Sequence, residues 1–259
     1  MPDRMTFRDG RSVLEAAGVG GESSERRALH ALLRDVGPRV GLTDAAIDCV
    51  VTTAKVSRWR RGHLLRPGPE GATVVHVVVT GGIGLACAGN PPRSAMLGIF
   101  RAGQFFTLGP FPGPTGPTSF CAVAQLDSVV AEIDLCHTCE VLEAMPVASI
   151  VRLLGGGWRS LMRIVHRKCC QLGAGPADRL LAELEVLAVD FGAPDPRGCR
   201  IALPLGLEDI AGLAGVNCEE VRGTMEDLQS RGKVAAEGDT LVVLASDTDA
   251  DAQTGASRV

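Results

Sequence analysis

The sequence is poor in aromatic side chains, and this and other absences exclude several classes of function. Aromatic residues make up 3% of the 259 residues, and Tyr is missing altogether, so stacking platforms for single-stranded nucleic acid are not expected. No apolar run reaches the roughly 18 residues that a membrane span needs, and no signal-peptide pattern is present. A formal net charge of −4 provides no general attraction to nucleic acid or to anionic lipid.

Disulfides are not expected either, although the chain contains nine cysteines. Their number is odd and they are scattered through a chain that is too long for a disulfide scaffold, so we expect reduced thiols in a cytoplasmic protein. Cys136-His-Thr-Cys139 is the most metal-like spacing, but a closed zinc site needs four ligands. Cys136 and Cys139 are therefore weak metal candidates. Small cysteines that fill a buried junction are the alternative, and no cofactor is predicted.

Motifs of the common enzyme classes are also missing. The chain has no Gly-rich phosphate loop after a strand, no Ser/His/Asp arrangement with a local signature and no paired carboxylates in a pocket-like context. We therefore predict that the protein is not an enzyme.

The first 145 residues change from a helical to a β-rich pattern. Residues 1–54 form a helical N-terminal extension, in which Ser24–Leu33 and Thr43–Thr53 have helical patterns and Thr43 is a good N-cap. Residues 55–145 contain short β-rich runs between Gly/Pro turns, which suggests a sandwich or barrel. The clearest of these runs are Val74–Val79, Gly84–Cys87 and Ser128–Ile133.

A long amphipathic helix is predicted over residues 146–174. Its apolar positions step by three or four residues and so form one narrow stripe. The stripe consists of Leu154, Trp158, Leu161, Val165, Cys169 and Leu172. Such a stripe commonly pairs with the same helix of a second copy, and packing on the β-rich part is the alternative. Gly155-Gly-Gly157 marks either a hinge or a close helix crossing.

Residues 175–245 end in a pattern that is typical of a helix-turn-helix. Leu207–Ala214 is the first short helix and Gly215 makes the turn. Asn217 caps the second helix, and Glu220 completes a capping-box-like pair. A pair of this kind is the usual way to place a helix in the major groove of DNA.

A hairpin follows the second helix. Lys233–Ala236 and Thr240–Leu244 flank Glu237-Gly-Asp239, which predicts a wing beside the helix pair. Residues 246–259 are rich in Ser, Asp and Ala, and we expect a disordered tail there.

The order of these parts resembles the cyclic-AMP receptor protein/FNR family of bacterial transcription regulators. The resemblance covers roughly residues 55–244. It rests on Gly103-Gln-Phe-Phe106, the strand Asp127–Ile133, the long helix followed by Arg179–Leu184, and the helix-turn-helix with its wing. The family implies an α+β fold with an N-terminal β-roll (a cyclic-nucleotide-binding-like jelly roll) at 55–145. It also implies a dimerisation helix at 146–174 that joins a homodimer, and a C-terminal winged helix-turn-helix at 175–245.

The residues that hold a cyclic nucleotide in that family are largely replaced here. Leu108 stands at the position of the ribose-binding Glu and Thr118 at that of the phosphate-binding Arg, so that only Ser119 is kept. Because the bidentate Arg–phosphate pair is lost, we expect no tight cyclic-AMP binding. A pocket here would be apolar and suit an unknown small-molecule effector, and a filled core is the alternative. The candidate pocket residues are Phe105, Phe106, Leu108, Thr118 and Ser119.

Two other effector sites of the family are not expected. The first 48 residues contain no Cys for an iron–sulfur cluster, and the region from Phe105 to Phe120 contains no His for haem. His76 lies in a strand with an alternating pattern, which predicts a solvated or hydrogen-bonded imidazole.

The second helix keeps only part of the family's base-reading pattern. Where the family typically shows Arg-Glu-x-x-x-Arg, this chain has Cys218, Glu219 and Gly223. Arg222 is displaced by one residue, which turns it by about 100° around the helix. Glu219 is the best candidate base reader, and Asn217 and Thr224 are assigned to phosphates. The candidate DNA-binding residues are Asn217, Cys218, Glu219, Arg222 and Thr224.

The charge of the helix-turn-helix and its wing leaves two predictions about DNA binding open. Between Arg200 and Leu244 there are four basic and eight acidic residues, which disfavours phosphate contacts. Either the dimer binds DNA with altered specificity, helped by basic residues elsewhere such as Arg58, Arg60 and Arg61, or DNA binding is lost. In the second case the protein is an interaction module or a small-molecule or redox sensor. The intact cap, turn and inward face favour a homodimeric regulator that binds palindromic double-stranded DNA and no membrane.

Overall fold

Residues 21–66, 74–87, 96–108, 120–134, 145–238 and 240–245 are described in the computed structural model. For 21–23, 40, 153, 154, 157 and 159–161 the description covers the backbone alone. The predicted tail at 246–259 lies outside the described residues. The chain divides into two compact units, one of residues 1–85 and 100–163 and the other of residues 86–99 and 164–259.

The helices begin where the sequence supplies caps. Thr43 accepts a hydrogen bond from the amide of Ala46 at 3.2 Å, as predicted, and Pro176 occupies the first turn of its helix, where proline is favoured. The helices are α1 (Gly21–Val40), α2 (Asp44–Thr53), α3 (Val147–Gln171), α4 (Pro176–Phe191), α5 (Leu207–Ala214) and α6 (Cys218–Ser230). Within the described ranges, none of them combines the length and apolar character that crossing a bilayer requires.

The strands form antiparallel sheets. The β-rich part contains β1 (Lys55–Trp59), β2 (Leu64–Leu65), β3 (Val74–Thr80), β4 (Gly82–Cys87), β5 (Met96–Arg101), β6 (Phe105–Thr107), β7 (Phe120–Ala124) and β8 (Ser128–Asp134). The C-terminal part contains β9 (Gly192–Asp195), β10 (Gly198–Ile201), β11 (Val234–Glu237) and β12 (Thr240–Leu244). The sheet orders are β1-β8-β3-β6, β2-β7-β4-β5 and β11-β12-β10-β9. The three β-rich runs of the sequence all lie within strands.

Helices α1 and α2 cover one face of the sheet β1-β8-β3-β6. Leu29, Leu33 and Ile47 from the two helices share a core with Val77 and Val79 of β3. Strand β3 is therefore buried on both faces, which explains its nearly continuous run of valines. Each fully buried side chain of this size contributes about 1.5–3 kcal/mol to folding, so the N-terminal helices form an integral part of this core.

A second core forms around α4 in the C-terminal unit. Helix α4 packs against α5, α6 and the sheet β11-β12-β10-β9, and its Leu180 and Leu184 are fully buried. Val221 and Leu228 of α6 are also fully buried. Since the first pair is four residues apart and the second seven, each pair marks the face of its helix that points inward.

Candidate nucleic-acid interface

Helices α5 and α6 are joined by a tight turn that depends on one glycine. Gly215 has φ 65° and ψ 41°, a left-handed conformation, and its amide donates to the carbonyl of Ala211. Such a residue commonly ends a helix, because glycine adopts this conformation without a side-chain clash. The chain then passes through Val216 to Asn217, where α6 begins. The turn predicted at Gly215 is confirmed.

The start of α6 is fixed by a reciprocal capping box. The side chain of Asn217 accepts from the amide of Glu220 at 2.8 Å, and the carboxylate of Glu220 accepts from the amide of Asn217 at 3.0 Å. Two backbone donors that have no partner within the helix are thereby satisfied. Because its side-chain oxygen is occupied, Asn217 serves first as a cap.

The outer face of α6 carries the predicted base-reading residues. Glu219 and Arg222 are exposed, whereas Cys218 and Thr224 are half-buried. Glu219 and Arg222 are three residues apart and therefore neighbours on the helix surface. Gly223 also lies on this face, and a Cβ added there would meet nothing within 4 Å. Arg222 therefore lies on the same surface as Glu219, next to Gly223, where no side chain fills the space.

Several carboxylates of the acidic module are held in local contacts. Asp209 accepts from the amide of Gly206 at 3.0 Å, and Asp227 pairs with Arg231 at 2.8 Å. Glu220 is used in the capping box described above. Helix α6 contains four acidic residues and one arginine. Two of the four, Glu219 and Glu226, face solvent and have no local partner among the contacts given above.

The wing is held to the neighbouring strands by Arg197. Its guanidinium bonds to Glu237 of β11 and, at 3.1 Å, to Asp195 of β9. Hydrogen bonds from Arg197 lower the pKa of both carboxyl groups. These contacts connect the turn between β9 and β10 with the tip of the wing hairpin.

Helix α3 presents a long apolar surface. Val151, Trp158 and Val165 follow one another at seven-residue spacing, and Leu172 continues the series just beyond the helix end; together they are called the apolar seam. Their exposed fractions are 62%, 63%, 38% and 84%. The side chains of Leu154 and Leu161, which belong to the predicted stripe, lie outside the described part. Exposed apolar side chains in a row are typical of interaction surfaces.

The predicted effector residues are divided between the two faces of one sheet. Phe106 and Leu108 are buried, whereas Phe105 is 39% exposed. Phe105 pairs with Val77, on the face that α1 and α2 cover, and Phe106 pairs with His76, on the opposite face. Phe105 and Phe106 therefore cannot line one pocket. Thr118 and Ser119 lie outside the described residues.

The candidate metal ligands Cys136 and Cys139 also lie outside the described residues. Within those residues, no three His, Cys, Asp or Glu side chains stand close enough to hold a metal ion.

His76 belongs to an aromatic cluster that the sequence did not predict. Its ring stacks on Phe106, with centroids 5.1 Å apart and planes at 5°, and meets the edge of Trp59 at 6.2 Å. The side chain is 5% exposed, and its Nδ1 has no hydrogen-bond partner among the described residues. The imidazole is therefore not solvated, and its Nδ1 lacks a hydrogen bond within the described part of the chain, because both faces of β3 are covered.

We expect His76→Phe to stabilise the protein, most strongly in acid. Burial lowers the pKa of His76 below its usual 6.5, so the unfolded chain binds a proton that the folded chain resists. Wild-type stability should therefore be full above about pH 6.5 and decline below it. Removing the unpaired buried nitrogen should add about 1–3 kcal/mol. Urea unfolding between pH 5 and 8 measures both effects.

His76→Gln serves as the control for this prediction. The amide does not titrate but stays polar, so the pH dependence should weaken without the gain in stability. An unchanged pH dependence in both variants would show that His76 does not control it.

Solved structures of transcription regulators share this arrangement of helices and sheets. The c-di-GMP responsive global regulator CLP of Xanthomonas campestris is 18% identical with a TM-score of 0.61, over 79% of this chain and 100% of that one. FixK2 from Bradyrhizobium japonicum is 20% identical with a TM-score of 0.60, over 73% and 92%.

A transcriptional regulator of the CRP family from Thermus thermophilus is 18% identical with a TM-score of 0.57, again over 73% and 92%. No family model matches the sequence, and no curated protein matches it. At these identities the likeness concerns the fold, and the chain has the mixed helix and antiparallel-sheet fold of solved CRP/FNR-family regulators.

Proposed function

We propose that the protein is a homodimeric transcription regulator of the CRP/FNR type that binds palindromic double-stranded DNA through α6. The observation that carries the proposal is the helix pair α5–α6. Its turn and cap are complete, its inner face is buried, and Glu219 and Arg222 are exposed on its outer face. A capped helix with free polar side chains on its outer face suits insertion into the major groove.

The apolar seam of α3 forms the proposed dimer interface. In two parallel helices, residues at seven-residue spacing face their own copies across the axis, so Val151, Trp158 and Val165 would each become buried. The proposal requires that a two-fold axis along α3 bring both copies of α6 to one face of a duplex. Half-sites about 34–36 Å apart, one helical turn, are the expected target.

The effector is a small molecule other than cyclic AMP, or none. Leu108, at the position of the family's ribose-binding Glu, is buried and apolar. An apolar side chain there offers no acceptor to a ribose hydroxyl, and burying such a hydroxyl without a partner is unfavourable.

A protein-interaction module without DNA binding is the second candidate function. The four acidic residues of α6 favour it, because DNA affinity depends largely on neutralising phosphates. Selection from a random duplex library decides between the two. An enriched palindrome supports the regulator, and a dimer that enriches no motif supports the interaction module.

We expect Glu219→Ala to relax base preference at one position of each half-site. Glutamate accepts a hydrogen bond from the cytosine N4 amino group, and a good base contact is worth about 1–3 kcal/mol of discrimination. Preference at that position should therefore fall by roughly 5- to 150-fold. Quantitative selection or competition gel shifts measure this change.

Glu208→Ala is the matched control. Glu208 is exposed at the start of α5, so its loss changes the module's charge by the same amount. This variant should raise affinity for all sequences alike, because phosphate repulsion carries no base information. Identical behaviour of the two variants would exclude Glu219 as a base reader.

A further inference from the structure

A buried carboxylate and one of its partners join three helices in the C-terminal unit. Glu183 belongs to α4, and its side chain is 3% exposed. A buried carboxylate is unfavourable unless it is paired and hydrogen-bonded. Residues on the inner side of α4 are otherwise apolar, as Leu180 and Leu184 show. The charge at this position therefore requires partners of its own.

Among the described residues, the partners of Glu183 come from the last turns of α3. Lys168 Nζ and Gln171 Nε2 each donate to Glu183 Oε1 at 2.8 Å. Arg167 Nε lies 3.3 Å from the same oxygen. One carboxylate oxygen thus collects two hydrogen bonds and a further ion pair from one helix end, which fixes α4 against α3.

Lys168 extends this junction to the helix pair. Its ammonium group also donates to the carbonyl oxygen of Leu213 at 2.6 Å. Leu213 lies in the last turn of α5, where carbonyl groups lack helical partners and the helix dipole attracts a cation. The lysine therefore bonds at once to Glu183 and to the end of the helix that precedes the turn into α6.

We propose that Glu183 and Lys168 are positioning residues for DNA binding, which hold α5 at a fixed orientation on the end of α3. The inference rests on the proposed function. Only the turn at Gly215 separates α5 from α6, so a rotation of α5 moves the DNA-reading face of α6. In a dimer joined along α3, that rotation changes the distance between the two reading helices. Lys168 and Glu183 do not contact DNA themselves. They determine which spacing of half-sites the dimer prefers.

The test is Lys168→Met on the full-length dimer. Methionine keeps most of the side-chain volume but has no donor, while Glu183 retains Arg167 and Gln171. Affinity for the selected palindrome should fall at least tenfold, affinity for a single half-site should stay within twofold, and the preference among spacings that differ by one or two base pairs should flatten. Gel shifts with a spacing series measure all three quantities. Glu183→Gln, which keeps an acceptor without the charge, should flatten the spacing preference in the same direction.

Two further variants separate positioning from charge and from folding. Lys233→Met removes the same charge from an exposed position and should lower affinity at all spacings equally. Lys168→Arg keeps a cation that reaches both Glu183 Oε1 and the carbonyl oxygen of Leu213. This variant should show the spacing preference of the wild type. A spacing preference unchanged in both Lys168→Met and Glu183→Gln overturns the inference while the proposed function stands. A wild-type dimer that selects no DNA overturns both.

Discussion

Replacing Trp158 with glutamate will separate the dimer into monomers and abolish binding to palindromic DNA. Trp158 lies in the middle of the apolar seam and is 63% exposed in the single chain. In the dimer each carboxylate would be buried against its own copy without a partner, at a cost of about 3–5 kcal/mol. The dimer dissociation constant should therefore rise by more than roughly a hundredfold. Sedimentation measures the mass, and gel shifts measure DNA binding.

His166→Glu is the control for the loss of the dimer. It adds the same charge to α3 at an exposed position, one residue after Val165 and so off the apolar seam. This variant should remain dimeric and bind DNA. Dimeric Trp158→Glu protein would refute the assignment of the seam to the dimer interface.

Replacing Gly81 with alanine will destabilise the protein more than the same change at Gly62. Both glycines have positive φ, 90° and 84°, which costs an alanine about 1–2 kcal/mol. At Gly81 the new Cβ would also lie 2.2 Å from Ser128 Oγ and 2.8 Å from the carbonyl oxygen of Asp127. At Gly62 it would meet nothing within 4 Å. Overpacking adds about 1–3 kcal/mol, so the total at Gly81 should reach about 2–5 kcal/mol.

The hydroxyl of Ser128 cannot simply move aside. It accepts from the amide of Gly82 at 3.1 Å and donates to the carbonyl of Leu126 at 2.8 Å. Adding Ser128→Ala to Gly81→Ala should relieve part of the clash, so the two changes should cost less together than the sum of each alone. Urea unfolding of the wild type, the three single variants and the double variant tests this, and equal losses at Gly81 and Gly62 would contradict the prediction.

Features that depend on neighbouring residues in the sequence were the ones that could be predicted. Thr43, Gly215 and the pair Asn217–Glu220 all perform the cap or turn that their local spacing indicated. Each involves bonds over three or four residues, so no knowledge of the tertiary fold is needed. Strands β9 and β10 were missed for the opposite reason. Strand β9 pairs with β10, and β10 also pairs with the distant β12.

Burial of polar side chains could not be predicted. The alternation of β3 suggested a solvated or hydrogen-bonded His76, but its ring is buried against Phe106 and Trp59, on the face opposite to the one that α1 and α2 cover. The contacts of Lys168 were likewise not predicted. Its partners, Glu183 and Leu213, lie 15 and 45 residues further along the chain. Contacts of this kind leave no periodic signal.

The covering of β3 by α1 and α2 also restricts how this chain can be shortened. A variant beginning at residue 55 keeps every strand of the first unit but loses Leu29, Leu33 and Ile47, and so leaves Val77 and Val79 bare. An uncovered, valine-rich sheet face invites self-association. Crystallisation or binding work on the strand-rich part alone should therefore retain the chain from residue 21 onward.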